Sequence, residues 1–123
     1  MQKIMVVDDD KQATTMLQEF LSMEGYESIV VNESATSIEV ASAKNPDLFV
    51  LDLMMPEPDG FKVCRMLRKD PSFNRTPIII LTALDDTDSK IVAFGAGADD
   101  YLTKPYHIED LSSRIKKLLD ENA

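Results

Sequence analysis

The chain has 123 residues, the size of one ordinary domain, and 44% of them are hydrophobic, enough for one core. Its formal net charge of −9 argues against a nucleic-acid or anionic-membrane surface, because phosphate groups are bound by basic patches. It has no apolar run long enough to span a bilayer and no signal-peptide pattern, and a cytoplasmic protein without membrane contact is expected.

The first half of the chain alternates between apolar runs and helical patterns. In chain order, the predicted elements are a strand over Lys3–Val7, a helix over Lys11–Glu24, a strand over Glu27–Val31 and a helix over Ser34–Lys44. Gly25 is a typical residue to end the first helix, and Ser34 is expected to cap the second. The residues expected to face the core from these helices are Ala13, Met16, Leu17, Phe20, Leu21, Ile38 and Ala41.

The second half continues the same alternation. The predicted elements are a strand over Leu48–Leu51, a helix over Gly60–Lys69, a strand over Pro77–Leu81, a helix over Asp85–Phe94, a strand over Asp99–Leu102 and a helix over His107–Asp120. Asp59 is the expected N-cap of the helix at Gly60, and the only cysteine, Cys64, is expected on its buried side. One cysteine excludes an internal disulfide, and the single His107 is expected at the surface. The last helix is expected to turn Ile108, Leu111, Ile115 and Leu118 inward.

Apolar strands joined by helices are typical of a parallel sheet with helices on both faces. Five such units predict a three-layer α/β fold, and no linker divides residues 1–123, so we expect a single domain. Ligands of such sheets bind at the carboxyl ends of the strands, beside the point where the strand order reverses. The chemically active residues that the sequence puts there are Asp8, Asp9, Asp52, Thr82 and Lys104.

Asp52 has a distinctive setting. It follows the unbroken apolar run Leu48–Leu51, and Pro56, Pro58 and Gly60 then force a loop. A carboxylate between a buried strand and a proline-stiffened loop is held in place. Asp52 alone would be interpreted as the start of a turn, and the other strand-end residues make it a site candidate.

The strand-end residues favour one kind of ion. Two carboxylates about 5 Å apart repel by roughly 3 kcal/mol at an effective dielectric constant near 20, and Lys104 supplies only one positive charge. Oxygen ligands without His or Cys favour Mg²⁺, which binds through one or two carboxylates and keeps waters that a phosphate can replace. A nucleophilic Asp52 beside Mg²⁺, with Thr82 and Lys104 for phosphoryl oxygens, indicates phosphoryl transfer to a carboxylate.

The chain resembles the receiver domain of bacterial two-component response regulators from Ile4 to Leu119. The resemblance rests on four motifs whose order and spacing together are highly specific: Val6-Val7-Asp8-Asp9, Asp52-Leu53-Met54-Met55-Pro56-x-x-Asp59-Gly60, Leu81-Thr82-Ala83 and Tyr101-x-x-Lys104-Pro105. The resemblance implies the flavodoxin-like receiver fold, with a five-stranded parallel sheet in the order 2-1-3-4-5.

The resemblance also implies roles for individual residues. Asp52 would accept the phosphoryl group, and Mg²⁺ would be bound by Asp9, Asp52, the backbone carbonyl of Met54 and, through water, Asp8. The implied phosphoryl-binding residues are Thr82, Ala83 and Lys104, and the implied switch pair is Thr82 and Tyr101. The Lys104–Pro105 peptide is expected to be cis, which about 5–6% of X–Pro bonds are. Met54 and Leu84 would flank the path of the water that hydrolyses the phosphorylated form.

Partners follow from the same resemblance. The phosphoryl donor would be a sensor histidine kinase or a histidine phosphotransfer protein. The output would pass to a downstream effector domain or protein through the fourth helix, fifth strand and fifth helix, and a homodimer formed on phosphorylation is a further expected assembly. Direct nucleic-acid and membrane contacts are not expected. The chain would be a signalling domain that catalyses only its own phosphorylation and dephosphorylation, not an enzyme.

Three alternatives remain at this point. A calcium loop of the EF-hand type is disfavoured because Ala13 stands at the position that needs glycine. A phosphatase with an aspartyl-phosphate intermediate also needs Asp, Thr, Lys and Mg²⁺. Such an enzyme would normally have an acidic residue two positions after its nucleophile, where this chain has Met54, and it would turn over a phosphomonoester. A pure interaction module with a solvated acidic cluster would bind Mg²⁺ weakly and without dependence on Asp9 or Asp52.

Overall fold

The computed structural model describes residues 1–122 and has the predicted alternation of strands and helices. The strands are β1 Lys3–Val7, β2 Glu27–Val31, β3 Leu48–Leu51, β4 Ile78–Thr82 and β5 Asp100–Thr103. The helices are α1 Lys11–Met23, α2 Ser37–Lys44, α3 Gly60–Lys69, α4 Thr87–Gly95 and α5 Ile108–Glu121. Within residues 1–122, none of the helices combines the length and the apolar character needed to cross a membrane.

All strand pairs are parallel, and the sheet order is β2-β1-β3-β4-β5, which confirms the predicted fold. The residues of the three central strands β1, β3 and β4 alternate between two apolar layers. One layer contains Met5, Val7, Phe49, Leu51, Ile78 and Ile80 with side chains of α2, α3 and α4. The other contains Ile4, Val6, Leu48, Val50, Ile79 and Leu81 with side chains of α1 and α5. Burial on both faces explains why β3 and β4 are unbroken buried runs, apolar except for Thr82 at the end of β4.

The order of the strands determines where a site can form. From β1 the chain moves outward to β2 and then crosses back to β3 on the other side of β1. The carboxyl ends of β1 and β3 therefore flank the point where the order reverses, and a crevice opens there. Asp8 follows β1 and Asp52 follows β3.

Several predicted boundaries were wrong by a few residues. The region predicted as one helix from Ser34 begins as a 3-10 turn, Ser34–Thr36, and Ser34 does not cap it. Its hydroxyl instead donates a hydrogen bond to the backbone oxygen of Pro56, 3.0 Å away. The helix α4 starts at Thr87 because the carboxylate of Asp86 accepts from the amide of Ser89 and thereby caps it. The strands β4 and β5 each begin and end one residue later than predicted.

Two residues predicted to face the core are exposed. Met16 is 70% exposed, whereas Leu17 and Leu21 on the same helix are buried. Ile108 is also exposed, in the first turn of α5. Helical spacing identifies an apolar stripe but not which of its edges the sheet covers. Cys64 is buried and His107 is exposed, and both of these predictions are confirmed.

Arg68 ties α3 to the far edge of the sheet. Its guanidinium donates hydrogen bonds to the backbone oxygens of Gly97 (2.9 Å), Phe73 (2.9 Å) and Thr76 (2.6 Å), and it pairs with the Asp99 carboxylate at 2.8 Å. Four oxygens on one planar donor group fix the loops before β4 and β5 relative to α3.

Candidate functional site at the carboxyl edge of the sheet

Two acidic side chains lie on either side of the crevice between β1 and β3. Asp8 is 4% exposed and Asp52 is 9% exposed. Their backbone amides continue the sheet, since Asp8 donates to the oxygen of Val31 (3.1 Å) and Asp52 to that of Val7 (3.0 Å). Both carboxylates therefore extend from backbone that is held like a strand, which gives them fixed positions.

A single cation joins the two acids. The Nζ atom of Lys104 lies 2.9 Å from Oδ2 of Asp8 and 3.3 Å from Oδ2 of Asp52. The backbone amide of Lys104 donates to the oxygen of Thr82 at 2.8 Å, which continues the pairing of β4 and β5. The Lys104–Pro105 peptide is cis, as predicted, and the Glu57–Pro58 peptide is also cis, which was not predicted.

The electrostatics of this cluster are unbalanced. Burial raises the pKa of Asp8, although the backbone amide of Asp10 and the ammonium of Lys104 oppose the shift. Burial lowers the pKa of Lys104, but its hydrogen bond to Asp8 and the charge of Asp52 outweigh that effect and raise it. Two ionised carboxylates and one ammonium leave one negative charge uncompensated, which attracts a further cation.

Asp9 and Asp10 differ from Asp8. The side chain of Asp9 is exposed, and that of Asp10 caps α1 by accepting from the amides of Gln12 and Ala13. Among residues 1–122, no three side chains of His, Cys, Asp or Glu are arranged as a group that could hold a metal ion. Asp8 and Asp52 are joined instead through the ammonium of Lys104.

The loop after Asp52 is tightly folded against the site. Oδ1 of Asp52 accepts from the backbone amide of Met54 at 3.1 Å, and the Met54 side chain is 56% exposed. The amide of Gly60 donates to the oxygen of Leu53. A Cβ atom at Gly60 would overlap the backbone oxygen of Asp52. Glycine is required here by the close approach of α3 to the loop.

Thr82 and Tyr101 lie on neighbouring strands. Thr82 is fully buried and Tyr101 is 8% exposed. The Tyr101 hydroxyl donates to the backbone oxygen of Leu84 at 2.7 Å, and the Phe94 ring centroid lies 6.4 Å from that of Tyr101. Burial raises the pKa of the Tyr101 hydroxyl, so this hydroxyl remains a donor at neutral pH. Ala83, between Thr82 and Leu84, is exposed.

Comparisons with known proteins agree with this geometry. The family model described as the response regulator receiver domain matches residues 4–116. The chain belongs to the response regulator receiver domain family. Receiver domains of response regulators are signalling domains and generally not classical enzymes.

Similar proteins are found among both curated relatives and solved structures. The response regulator MprA of Mycobacterium leprae is 41% identical over 117 residues, covering 95% of this chain and 50% of the relative. The alkaline phosphatase synthesis transcriptional regulatory protein PhoP of Bacillus subtilis is 39% identical, with 95% and 48% covered. The BeF3-activated N-terminal receiver domain of Klebsiella pneumoniae RstA superposes with a TM-score of 0.90 at 32% identity, covering 96% and 98%. The chain spans about half the length of the curated relatives it matches.

One residue at the site of this receiver domain was not predicted from the sequence. The side-chain amide of Asn32, directly after β2, donates to the backbone oxygen of Asp8 at 2.8 Å and to the Thr14 hydroxyl at 3.0 Å. The only sequence signal is a polar residue that ends an apolar strand beside the strand of Asp8. That signal does not specify which atom the side chain contacts.

Proposed function

We propose that this receiver domain accepts a phosphoryl group on Asp52 from the phosphohistidine of a sensor histidine kinase or histidine phosphotransfer protein, with Mg²⁺ required. An Asp52 carboxylate oxygen attacks phosphorus, an O–P bond forms, the P–N bond of the donor breaks, and the histidine nitrogen keeps its electron pair. The observation that carries this proposal is the fixed, nearly buried Asp52 whose Oδ2 lies 3.3 Å from the Lys104 ammonium. Residues 1–123 are proposed to act as one domain.

The donor set fits Mg²⁺. The proposed ligands are Asp9, Asp52 and the backbone carbonyl of Met54, with Asp8 acting through water, and all of them supply the hard oxygen atoms that Mg²⁺ prefers. The uncompensated charge of the Asp8–Asp52–Lys104 cluster supports a divalent cation there. When bound, Mg²⁺ offsets the negative charge of the phosphoryl oxygens. Lys104, Thr82 and Ala83 are proposed to hold those oxygens.

The test is intact-mass measurement after incubation with a small phosphodonor and Mg²⁺. Wild type should gain one acid-labile phosphate, and Asp52→Asn should gain none. Asp47→Asn is the matched control, because Asp47 is an exposed carboxylate at the opposite end of the same strand. Undiminished incorporation in Asp52→Asn would falsify the assignment. Turnover of a phosphomonoester by wild type would instead favour a phosphatase.

A groove beside the acidic cluster supports a docking surface for the phosphoryl donor. It has a volume of about 380 Å³ and lies between α1 and α5. Its lining includes Lys104 together with Ala13, Met16, Pro105, Tyr106 and Ile108. The exposed Met16 and the sharing of Lys104 with the Asp52 ion pair support an apolar, phosphohistidine-bearing helix as the occupant.

A protein donor and a small phosphodonor should respond differently to changes in this docking surface, because only the protein donor would contact it. Met16→Ala should slow transfer from the cognate phosphorylated kinase several-fold, while phosphorylation by a small phosphodonor should keep its wild-type rate. Met23→Ala is the matched control, since Met23 is exposed on the same helix but does not line the groove. Equal slowing with both donors would refute docking in the groove.

The proposed output surface is α4, β5 and α5. A phosphoryl group brings about −1.5 to −2 charges, and the Thr82 hydroxyl is expected to be drawn toward it. The Tyr101 hydroxyl donates a hydrogen bond to the backbone oxygen of Leu84, two residues after Thr82, and this bond supports coupling of Tyr101 to that movement. Exposed Ile91 and Phe94 on α4 supply apolar area for an effector domain, an effector protein or a second copy of the chain.

Amide NMR spectra with and without beryllofluoride test this switch, since a receiver similar in fold is described as BeF3-activated. Changes should extend from the Asp52 loop to α4, β5 and α5. In Thr82→Ala the changes should remain near Asp52. Wild-type changes confined to the Asp52 loop would count against the switch.

A slow loss of the phosphoryl group is also proposed. Hydrolysis needs a water in line with the bond between Asp52 and phosphorus, and Met54 and Leu84 are proposed to flank its path. Well-placed polar groups that orient a water contribute about a hundredfold or more, and these two side chains offer no such hydrogen bond. Met54→Asn/Leu84→Glu should therefore dephosphorylate faster than wild type in excess Mg²⁺. An unchanged rate would show that water access at these positions is not limiting.

A further inference from the structure

The residue Asn32 ends the β2 strand with a side-chain hydrogen bond to the neighbouring strand. In the parallel register of β1 and β2, Lys3 pairs with Glu27 and Val7 with Val31. The last backbone bond of this ladder runs from the amide of Asp8 to the oxygen of Val31, at 3.1 Å.

The next bond of the ladder would run from the amide of Glu33 to the oxygen of Asp8. The chain instead turns into the 3-10 helix at Ser34. The amide group of Asn32 donates to the Asp8 oxygen at 2.8 Å, in place of that backbone bond. The side chain therefore satisfies a backbone acceptor that the end of the strand would leave without its ladder partner.

The orientation of the Asn32 amide follows from its second contact. The Thr14 hydroxyl donates its one hydrogen to the oxygen of Lys11, 3.1 Å away, so its oxygen is left to accept. Nδ2 of Asn32 lies 3.0 Å from that oxygen and supplies the hydrogen. Both hydrogens of the Asn32 amide are therefore used, one by Asp8 and one by Thr14, and Thr14 is itself buried.

The oxygen that Asn32 binds belongs to the peptide between Asp8 and Asp9. Because a peptide is planar, holding its oxygen also fixes the direction in which the chain leaves for Asp9. The same peptide thus links the buried carboxylate that contacts Lys104 to the exposed carboxylate that is a proposed Mg²⁺ ligand. A rotation of this plane would move the Asp9 carboxylate relative to that of Asp8, whose backbone amide is held by Val31.

We infer that Asn32 is a positioning residue for the acidic site: its amide fixes the Asp8–Asp9 peptide and thereby directs the Asp9 carboxylate toward the Mg²⁺ position. This inference rests on the proposed function. Asn32 acts through the backbone and touches neither the phosphoryl group nor the ion. Partners outside the ligand set that orient metal ligands commonly affect metal affinity.

The experiment measures the Mg²⁺ dissociation constant from amide NMR shifts in wild type, Asn32→Ala and Asn32→Leu. The leucine variant keeps a side chain branched at Cγ and replaces the whole polar amide by methyl groups. Both variants should bind Mg²⁺ about two- to tenfold more weakly, the range that the net free energy of one hydrogen bond corresponds to. The carbonyl ¹³C shift of Asp8 should change without Mg²⁺. The phosphorylation rate should recover largely at saturating Mg²⁺.

Ser34→Ala is the matched control, because it removes one hydrogen bond from the same loop, that to Pro56, without touching Asp8. It should lower stability yet leave the Mg²⁺ dissociation constant unchanged. Unchanged Mg²⁺ affinity in both Asn32 variants, or equal weakening in Ser34→Ala, would overturn the inference and leave the proposed function intact. Failure of wild type itself to bind Mg²⁺ or take up phosphate would overturn both.

Discussion

Replacing Lys104 by methionine should expose the electrostatic cost of the acidic cluster. The substitution keeps an unbranched side chain and removes the ammonium that contacts both Asp8 and Asp52. Both carboxylates stay nearly buried, and their mutual repulsion is then unscreened by the ammonium. We expect Lys104→Met to lower the free energy of unfolding at neutral pH in the absence of Mg²⁺.

The two contacts set the magnitude. Charges 2.9 and 3.3 Å apart attract by roughly 5–6 kcal/mol each at an effective dielectric constant near 20, and the cost of removing them from water offsets most of this. Breaking a fully buried pair from one side costs about 3–5 kcal/mol. The Lys104 side chain is 27% exposed, which brings the expected loss to about 2–3 kcal/mol. The melting midpoint should fall by about 10 °C.

Urea denaturation followed by far-UV circular dichroism is the assay, since the chain has no tryptophan. Excess Mg²⁺ should narrow the stability difference between variant and wild type, because the cation supplies positive charge that only the variant lacks beside the two carboxylates and should therefore bind the variant more tightly. A lower pH should also narrow the stability difference between Lys104→Met and wild type. Lys104 lowers the pKa of Asp8, so its removal raises that pKa further. A carboxyl group whose pKa is raised in the folded state lowers the free energy of unfolding at pH values above that pKa. This loss of stability disappears as the pH falls through the raised pKa toward the value of the unfolded chain.

Lys62→Met is the matched control for Lys104→Met. The Lys62 ammonium pairs with the Glu57 carboxylate at the surface, and exposed pairs contribute little. The urea midpoint of unfolding of Lys62→Met should therefore equal that of wild type. A Lys104→Met variant as stable as wild type, or a deficit that is independent of both Mg²⁺ and pH, would refute the electrostatic argument.

Four further substitutions test the packing around the site. Ser37→Ala should raise the free energy of unfolding by about 1 kcal/mol, because within residues 1–122 its buried hydroxyl has no hydrogen-bond partner. Ser34→Ala should lower the free energy of unfolding by a similar amount, because it removes the hydrogen bond to Pro56. Urea denaturation that shows both variants changing stability in the same direction would contradict this. Gly60→Ala should cost about 3 kcal/mol, because its Cβ would overlap the Asp52 backbone oxygen, and a near-neutral midpoint would show that α3 can shift. Arg68→Met should cost about 2–4 kcal/mol and speed amide exchange before β4 and β5; unchanged exchange there would contradict its role in fixing these loops.

Much of the fold follows from local pattern alone. Strands β1, β2 and β3 were predicted to the residue. For β1 and β3 the reason is that a strand buried on both faces is an apolar run with polar or proline boundaries. The edge strand β2 keeps only part of that pattern, since Glu27 is exposed. The Asp59 cap of α3 was predicted for a similar reason, since it is a contact between neighbours in the chain. The strand-end residues could also be named in advance, because parallel strands all bring their carboxyl ends to one edge.

The contacts that make the site were decided by the tertiary structure. Lys104 and Asp8 are 96 positions apart, and Asn32 reaches Asp8 across 24, so no local pattern specifies which atoms meet. The exposure of Met16 has the same origin, because the periodicity of α1 defines an apolar stripe but only the neighbouring elements determine how much of it is covered. Residue types at strand ends thus indicate the chemistry from sequence, whereas distances, burial and positioning bonds arise only when distant segments pack together.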